Sequence, residues 1–251
     1  MKLDLNNKVA LVTGSSRGIG KAIAETLHIE GCRVVLNGRQ AESLGHAVAA
    51  LPGAIGFVAD VSTVEGARRL VDEVLGGLGQ LDILVCNVGS GRSVPPGRES
   101  AQEWQRVFAL NLWSATNMVE AAQEALVASC GAVVCVSSIC GLEVIPNAPV
   151  TYSVAKAALN AYIRGIARPL GAQGVRINAI APGNILFDDS VWDRKLKEDA
   201  AGVQAMLERD VALVRLGTPV DVANLAAFLV SPQAGFATGE VWALDGGQVR
   251  G

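Results

Sequence analysis

Histidine is scarce in this sequence, which contains His28 and His46 and no histidine after them. Both lie in stretches with helical spacing, where an ordinary surface or packing role is the simpler interpretation. A zinc site is not expected, because zinc in proteins is usually held by several closely spaced histidines and cysteines. The absence of a later histidine also argues against serine hydrolases, which need a histidine base downstream of the nucleophile.

Cysteine pairs are missing as well, since no two of the five cysteines form a Cys-x-x-Cys arrangement. Their odd number predicts free thiols, which is the usual state in the cytosol. The residues are Cys32, Cys86, Cys130, Cys135 and Cys140. Neither a disulfide framework nor a metal centre is expected.

The chain has neither a strong charge of one sign nor a long apolar run. Its formal net charge is −3 and its pI is about 5.5, so it lacks the basic surface that binds nucleic acid or anionic membranes. No apolar stretch reaches the length of a membrane span. The first apolar run, Val9–Val12, is too short for a signal peptide. We therefore expect a soluble, cytoplasmic protein.

What the sequence does contain is a regular alternation of strand and helix patterns. Short apolar runs predict strands over residues 8–12, 32–37, 54–59, 81–86, 131–138, 175–181 and 240–244. Helical spacing separates them, including stretches at 41–51, 64–78, 101–128, 152–170 and 220–229. This order predicts one α/β domain over residues 1–251, a doubly wound parallel sheet of about seven strands with helices on both faces. The charged insertion 187–216 is a candidate lid over a substrate.

A glycine-rich turn follows the first predicted strand and runs from Gly14 through Ser16, Arg17, Gly18 and Ile19 to Gly20. Strand, glycine turn and helix together predict a dinucleotide site, where glycines admit the pyrophosphate and the helix N-terminus offers free N–H groups. The spacing fits neither a phosphate loop of the Walker type nor the usual Gly-x-Gly-x-x-Gly pattern. The local match to a Gly-x-Ser-x-Gly nucleophile elbow lacks its histidine.

Charge near the second strand bears on which dinucleotide is bound. An acidic residue about twenty positions after the glycines usually binds the ribose 2′-hydroxyl of NAD. Here Gly38 and Arg39 stand near that place. An arginine suits the additional phosphate of NADP, and Arg17 in the turn is a second candidate. The alternative is that both arginines are ordinary surface residues, but the missing acid favours NADP(H) over NAD(H).

Tyr152 and Lys156 are four residues apart in a predicted helix and therefore lie on the same face. A phenol titrates near 10, and bringing its pKa to about 7 takes roughly 4 kcal/mol. One ammonium at about 4 Å contributes a similar amount at an effective dielectric constant of about 20. Ser138 ends the preceding strand, at the edge where parallel sheets bind ligands. Tyr-x-x-x-Lys also occurs by chance, so this spacing alone decides nothing.

Several motifs spread over nearly the whole chain together resemble the pattern of the short-chain dehydrogenase/reductase family. The matching residues are Thr13-Gly14-x-x-x-Gly18-Ile19-Gly20, Asp60, Asn87-Val88-Gly89, Asn111, Ser138, Tyr152-x-x-x-Lys156, Pro182-Gly183 and Asp245-Gly246-Gly247. The resemblance implies hydride transfer between a nicotinamide and a ketone or secondary alcohol. It also implies a homotetramer, or a homodimer, in which helices around Asn111 and Tyr152 pair between subunits.

The same resemblance implies roles for individual residues. Tyr152 is expected to give or take the proton, Lys156 to lower its pKa and hold the nicotinamide ribose, and Ser138 to position the substrate oxygen. Asn111 is expected to anchor a water relay, although a structural bond to the backbone explains a helical asparagine equally well. The implied cofactor residues are Gly14, Ser16, Arg17, Gly18, Ile19, Gly20, Asp60, Val61, Asn87, Gly89, Tyr152, Lys156, Pro182, Gly183 and Ile185, with Arg39 added from its charge.

The chain also departs from the family pattern. Ser138 lies fourteen residues before Tyr152, one more than usual, which predicts an insertion near Pro146. Phe187 replaces a threonine that is common after Pro-Gly, which leaves one cofactor contact in doubt and makes the site more apolar. Members that reduce 3-oxoacyl groups on an acyl carrier protein need cations to meet that acidic partner, and the turn at residues 126–131 contains none. A carrier-protein reductase and a non-catalytic NADP sensor on the same fold remain the alternatives.

Overall fold

The computed structural model describes residues 2–249 and contains one seven-stranded parallel sheet in the order β3-β2-β1-β4-β5-β6-β7. The strands are β1 Val9–Val12, β2 Arg33–Gly38, β3 Ile55–Val58, β4 Ile83–Cys86, β5 Ala132–Val136, β6 Arg176–Pro182 and β7 Val241–Leu244. From β1 the chain adds β2 and β3 on one side and then β4 to β7 on the other, so the direction of progression reverses between β1 and β4. The predicted doubly wound sheet is confirmed.

Nine α-helices accompany the strands in the described part of the chain. They are α1 Gly18–Ile29, α2 Ala41–Ala49, α3 Val64–Leu78, α4 Ala101–Phe108, α5 Ser114–Ser129, α6 Val150–Gly171, α7 Val191–Glu198, α8 Ala200–Asp210 and α9 Pro219–Val230. Within residues 2–249, each helix is too short or too polar to cross a bilayer.

The apolar strands pack against helices on both sides, which explains their unbroken hydrophobic runs. One core cluster joins the sheet to α3, α5 and α6. The other joins it to α1, α2 and α9. A third, small cluster around Val203, Leu207 and Val211 lies within the insertion, whose helices α7 and α8 therefore have a core of their own.

The predicted helix over residues 101–128 is interrupted in the structure. Residues Ala109–Trp113 form a π-helical turn between α4 and α5, with Asn111 as its buried member. Its side-chain nitrogen donates to the Val107 carbonyl at 3.0 Å. A π-turn often marks a functional position, because the extra residue redirects one side chain out of the regular helical pattern.

Helix α3 contains glycines in opposite environments, which gives a matched test of the packing. A Cβ on Gly66 would lie 2.0 Å from the Asp60 carbonyl oxygen, whereas Gly76 has nothing within 4 Å. We expect Gly66→Ala to destabilise the protein because that backbone must shift. Gly76→Ala should stabilise it by about 0.5–1 kcal/mol, since alanine favours a helix interior.

Urea unfolding of both variants beside the wild type measures these changes. A Gly66→Ala protein as stable as Gly76→Ala would contradict the close approach of α3 to the segment after β3.

Candidate active site

The carboxyl ends of the central strands bring the predicted site residues to one edge of the sheet. The glycine turn follows β1, Asn87 follows β4, and Ser138 follows β5. Each strand is buried along its length, so the first polar groups appear where the strands end. This is the edge at which open parallel sheets bind their ligands.

Asn87 holds the glycine turn in place. Its side-chain nitrogen donates to the carbonyls of Thr13 at 3.1 Å and Gly14 at 3.0 Å. Its backbone N–H donates to the Thr13 hydroxyl at 3.0 Å. A Cβ on Gly20 would lie 2.4 Å from that same side-chain nitrogen. Asn87 therefore holds the backbone of the turn at Thr13 and Gly14. Its side chain lies so close to Gly20 that only glycine fits at that position.

The turn leads into α1, whose N-terminus has no side-chain cap. Ser15, which lies just before it, turns inward and donates to the Val12 carbonyl at 2.8 Å. Ser16 is half-buried and Arg17 is exposed at the N-cap position. The first N–H groups of α1 are thus available to an anion, as helix N-termini commonly are.

Phe187 lies directly against this turn. A Cβ on Gly18 would be 2.7 Å from a ring carbon of Phe187, and the ring also belongs to the core cluster that includes Ile19. The expectation of a more apolar site at this position agrees with the contact. The insertion that begins at residue 187 is therefore attached to the glycine turn by an aromatic ring.

Arg39 and Asp60 meet at the ends of β2 and β3. The guanidinium nitrogen lies 3.6 Å from the Asp60 carboxylate, and both side chains are largely exposed. Asp60 also accepts a hydrogen bond from the Ser62 hydroxyl at 2.7 Å. Although burial opposes it, hydrogen bonds from Ser62 and the charge of Arg39 lower the pKa of Asp60.

Tyr152 and Ser138 face each other across the start of α6. Ser138 is 7% exposed, and its hydroxyl accepts the Cys140 N–H at 3.2 Å. Burial raises the pKa of Tyr152 to about 12, against the lowering effect of the Ser138 hydroxyl. The Tyr152 phenol is therefore protonated at neutral pH in the protein alone.

Lys156 is nearly inaccessible, with 2% of its surface exposed. Its ammonium donates to the Val136 carbonyl at 2.8 Å and lies 5.9 Å from the centre of the Tyr152 ring. Burial lowers the pKa of Lys156 to about 8, partly offset by the thiols of Cys135, Cys140 and Cys86. The lowering of the Tyr152 pKa by Lys156 together with a bound nicotinamide stays a prediction.

Asn111 fastens the segment that follows β4. Its side-chain oxygen accepts the Ser90 N–H at 2.9 Å, and its nitrogen donates to the Ser90 carbonyl at 3.1 Å. A Cβ on Gly89 would lie 2.9 Å from the Asn111 oxygen and 3.2 Å from the Lys156 ammonium. The structural bond that sequence reasoning left open is present, and it lies beside Lys156.

The remaining predicted cofactor positions lie at the same edge. Val61 is buried and its carbonyl accepts a bond from Asn117 at 3.4 Å. Pro182 ends β6, and the Gly183 N–H donates to the Leu244 carbonyl at 3.0 Å. Ile185 is buried, and its side chain packs against Gly217. In residues 2–249, no group of three histidine, cysteine or acidic side chains is placed to hold a metal.

Sequence reasoning missed Asn37 and Gly91. Asn37 is buried at the end of β2, where its nitrogen donates to the carbonyls of Phe57 and Ala59, both at 3.2 Å. A polar residue that ends an apolar strand was the available signal. Gly91 lies alongside the Tyr152 ring, whose nearest carbon would be 3.8 Å from a Cβ there. No pattern in the sequence distinguishes it from other loop glycines.

Comparison with known proteins identifies the lineage of this site. The family model described as enoyl-(acyl carrier protein) reductase matches residues 14–248. The chain belongs to the short-chain dehydrogenase/reductase family. The match covers all of the predicted catalytic and cofactor residues, from Gly14 to Ile185.

Members of the family that resemble this chain act on different molecules. The 3-oxoacyl-[acyl-carrier-protein] reductase of Escherichia coli is 32% identical over 98% of both chains. L-Sorbose reductase from Gluconobacter frateurii, solved with NADPH and L-sorbose, superposes with a TM-score of 0.93 at 31% identity over 100% of both chains. A 7α-hydroxysteroid dehydrogenase complexed with NADH reaches 0.90 at 30% identity, covering 100% of this chain and 97% of that one. The chain is an oxidoreductase of this family.

Burial of Lys156 predicts a specific dependence of stability on pH. Its pKa falls from the ordinary 10.5 to about 8 on folding, so between these values the unfolded chain binds more protons. Stability contributed at this site must therefore rise as pH increases through that window. We expect the stability of the wild type relative to Lys156→Met to increase between pH 8 and 10.

Urea unfolding of both proteins at several pH values measures this difference. Buried thiols and phenols also change the stability with pH, in the opposite direction. Both proteins contain them, so their effect cancels in the difference between the wild type and Lys156→Met. A difference that stays constant from pH 8 to 10 would contradict the burial of a charged lysine.

Proposed function

We propose that this protein is an NADP(H)-dependent oxidoreductase that interconverts a ketone and a secondary alcohol, with Tyr152 as the proton donor or base. The observation that carries the proposal is the convergence of Ser138, Tyr152, Lys156 and Asn111 at the carboxyl edge, where Asn111, Ser138 and Lys156 are buried. A polar cluster that is costly to bury is most simply explained by chemistry.

The residues present fit a nicotinamide dinucleotide. A side chain at Gly14, Gly18 or Gly20 would crowd neighbouring atoms, and the uncapped start of α1 offers N–H groups to a pyrophosphate. Arg39 and Arg17 would hold the 2′-phosphate, with Asp60 and Val61 near the adenine. Asn87, Gly89, Pro182, Gly183 and Ile185 would line the remainder. When bound, the cofactor supplies or accepts the hydride.

The chain's own groups supply the proton and the alignment. In the reductive direction, the Ser138 hydroxyl holds the carbonyl oxygen while the Tyr152 hydroxyl gives its proton to that oxygen. Burial raises the pKa of Tyr152 to about 12, so the phenol carries this proton at neutral pH before the reaction. The Lys156 ammonium then opposes the negative charge left on the phenol, and its contact with the Val136 carbonyl keeps it directed towards the site.

The preference for NADP(H) rests on this chain's charges, because solved relatives carry either cofactor. Arg39 has most of its side chain exposed and its pairing with Asp60 is long, at 3.6 Å. Such a weakly held guanidinium is available for a phosphate, which it binds in a bidentate manner.

The substrate is proposed to be a free small ketone or alcohol in the cytoplasm. A carrier-bound 3-oxoacyl group is the second candidate, supported by the Escherichia coli relative. The turn at 126–131 carries no cation for an acidic carrier, which favours the first. A faster turnover of carrier-bound than of free substrates would reverse this order.

Assembly into a homotetramer or homodimer through α5 and α6 is part of the proposal. Trp113, just before α5, and Val150 and Val154 in α6 are apolar and more than a third exposed. Burying such side chains against a second copy is favourable. The insertion 187–216, with its own small core, is proposed to cover the bound substrate as a lid.

Replacing Tyr152 by phenylalanine tests the proton donor. We expect Tyr152→Phe to lower turnover of ketones by about 10²-fold or more, the usual effect of losing a general acid. NADPH affinity should stay nearly unchanged, because only one hydroxyl is removed. Tyr162→Phe is the matched control, as Tyr162 is the other tyrosine of the chain and lies in the same helix.

NADPH oxidation with a panel of ketones gives the rate, and NADPH fluorescence gives the affinity. Unchanged turnover in Tyr152→Phe would remove this residue as the proton donor. Cofactor binding without turnover of any carbonyl by the wild type would favour a non-catalytic sensor.

Replacing Arg39 by alanine tests the cofactor preference. We expect the Kd for NADPH to rise by about tenfold, since a hydrogen bond between charged groups contributes about 1.5–3 kcal/mol. The Kd for NADH should be little affected, because NADH lacks the phosphate. Arg33→Ala, at the opposite end of β2, is the matched control. Equal losses for both cofactors would contradict the assignment.

A further inference from the structure

A short segment after β4 runs along the whole catalytic cluster. Residues 89–93, here called the flanking strip, begin at Gly89 beside Lys156 and Asn111 and pass Gly91 beside the Tyr152 ring. Asn111 holds the strip at Ser90 through two hydrogen bonds. Its far end, at Arg92 and Ser93, needs a separate attachment.

That attachment is a chain of hydrogen bonds that ends in the helix carrying Tyr152. The Ser93 hydroxyl donates to the Glu103 carboxylate at 2.6 Å and lies 2.6 Å from the Thr151 hydroxyl. A serine has one hydroxyl proton to give. Because that proton goes to Glu103, Thr151 must be the donor to Ser93, and the direction of the chain is fixed from Thr151 to Glu103.

The Glu103 carboxylate binds Ser93 instead of capping the N-terminus of its own helix. Ser100 and Glu103 have the spacing of a capping box, in which the glutamate returns to the N-cap N–H. Ser100 does accept the Glu103 N–H at 3.2 Å, but the carboxylate instead binds Ser93 and Arg106. Hydrogen bonds from Arg106 and Ser93 lower the pKa of Glu103 to about 2. The carboxylate therefore stays ionised, and accepts, across the neutral range.

Arg106 adds a second hold on the flanking strip. Its guanidinium donates to the Glu103 carboxylate at 2.8 Å and to the Arg92 carbonyl at 3.0 Å. Helix α4 thus binds two consecutive residues of the flanking strip. The Arg106 guanidinium binds Arg92, and the Glu103 carboxylate binds Ser93.

Thr151 links this arrangement to catalysis, because it precedes Tyr152 in the first turn of α6. It is 0% exposed, so loss of its partner would leave a buried hydroxyl unpaired. Helix α6 has no side-chain cap at its N-terminus. The first turn, which determines where the phenol lies, is therefore tied to the strip through Thr151.

We propose that Thr151, Ser93 and Glu103 are positioning residues, which hold the first turn of α6 against the flanking strip so that the Tyr152 hydroxyl meets the substrate oxygen. The inference rests on the proposed function. These residues do not touch the reacting atoms. Their loss should lower kcat more than it weakens cofactor binding, since small misplacements of catalytic groups are costly in rate.

Thr151→Val tests the chain with an isosteric change that removes only the hydroxyl. We expect kcat for ketone reduction by NADPH to fall by about tenfold or more, while the Kd for NADPH stays within about twofold. Thr151→Ser keeps the hydroxyl and should restore most of kcat. Thr116→Val, a half-buried helix threonine bonded to a nearby carbonyl, is the matched control and should behave as the wild type.

A double variant separates one connected chain from two independent effects. Ser93→Ala alone should resemble Thr151→Val, and the combined variant should be no slower than either, because each change breaks the same chain. Ser93→Ala also carries the test if Thr151→Val yields no folded protein, as judged by circular dichroism.

Three results would overturn the inference. They are an unchanged kcat in Thr151→Val and Ser93→Ala, an equal loss in Thr151→Ser and Thr151→Val, and additive losses in the double variant. A wild type that binds NADPH but reduces none of ethyl 3-oxobutanoate, a 3-oxoacyl thioester and a cyclic ketone overturns the proposed function, and the inference with it.

Discussion

The site depends on one expensive arrangement, a lysine ammonium buried between the sheet and its covering helices. A charge in such a position has to be compensated by polar neighbours or give up its proton. Here the compensation is small, a single backbone carbonyl at the end of β5 together with nearby thiols. The lowered pKa of Lys156 reflects the free energy of burying its charge that these groups do not offset.

Around this lysine, the polar residues fall into two groups with different tasks. Ser138 and Tyr152 carry hydroxyls that lie at the carboxyl edge of the sheet. Asn87, Asn111 and Thr151 turn inward and bind backbone or side-chain groups of neighbouring segments. The second group fixes the loops that follow β1 and β4. The positions of the Ser138 and Tyr152 hydroxyls thus depend on amides and hydroxyls that bind neighbouring segments.

Much of the fold was accessible from sequence, because parallel strands buried on both faces are unbroken apolar runs and the glycine turn has a distinctive spacing. Tyr152, Lys156 and Ser138 were singled out by the family resemblance, because the Tyr-x-x-x-Lys spacing also occurs by chance. The π-turn at Asn111 was not, since it leaves no compositional mark. Nor was the raised pKa of Tyr152, which arises from burial by distant segments.

The order of strands carries a consequence for synthesis of the chain. After β1, the strands β2 and β3 add successively on one side, and β4 to β7 add successively on the other. Every new strand therefore joins a free border, and none has to insert between two that are already paired. A polypeptide emerging from the ribosome with its N-terminus first can build this sheet by growth at its margins alone. The strands β1 to β5 have all been synthesised before the codon for Tyr152 is read.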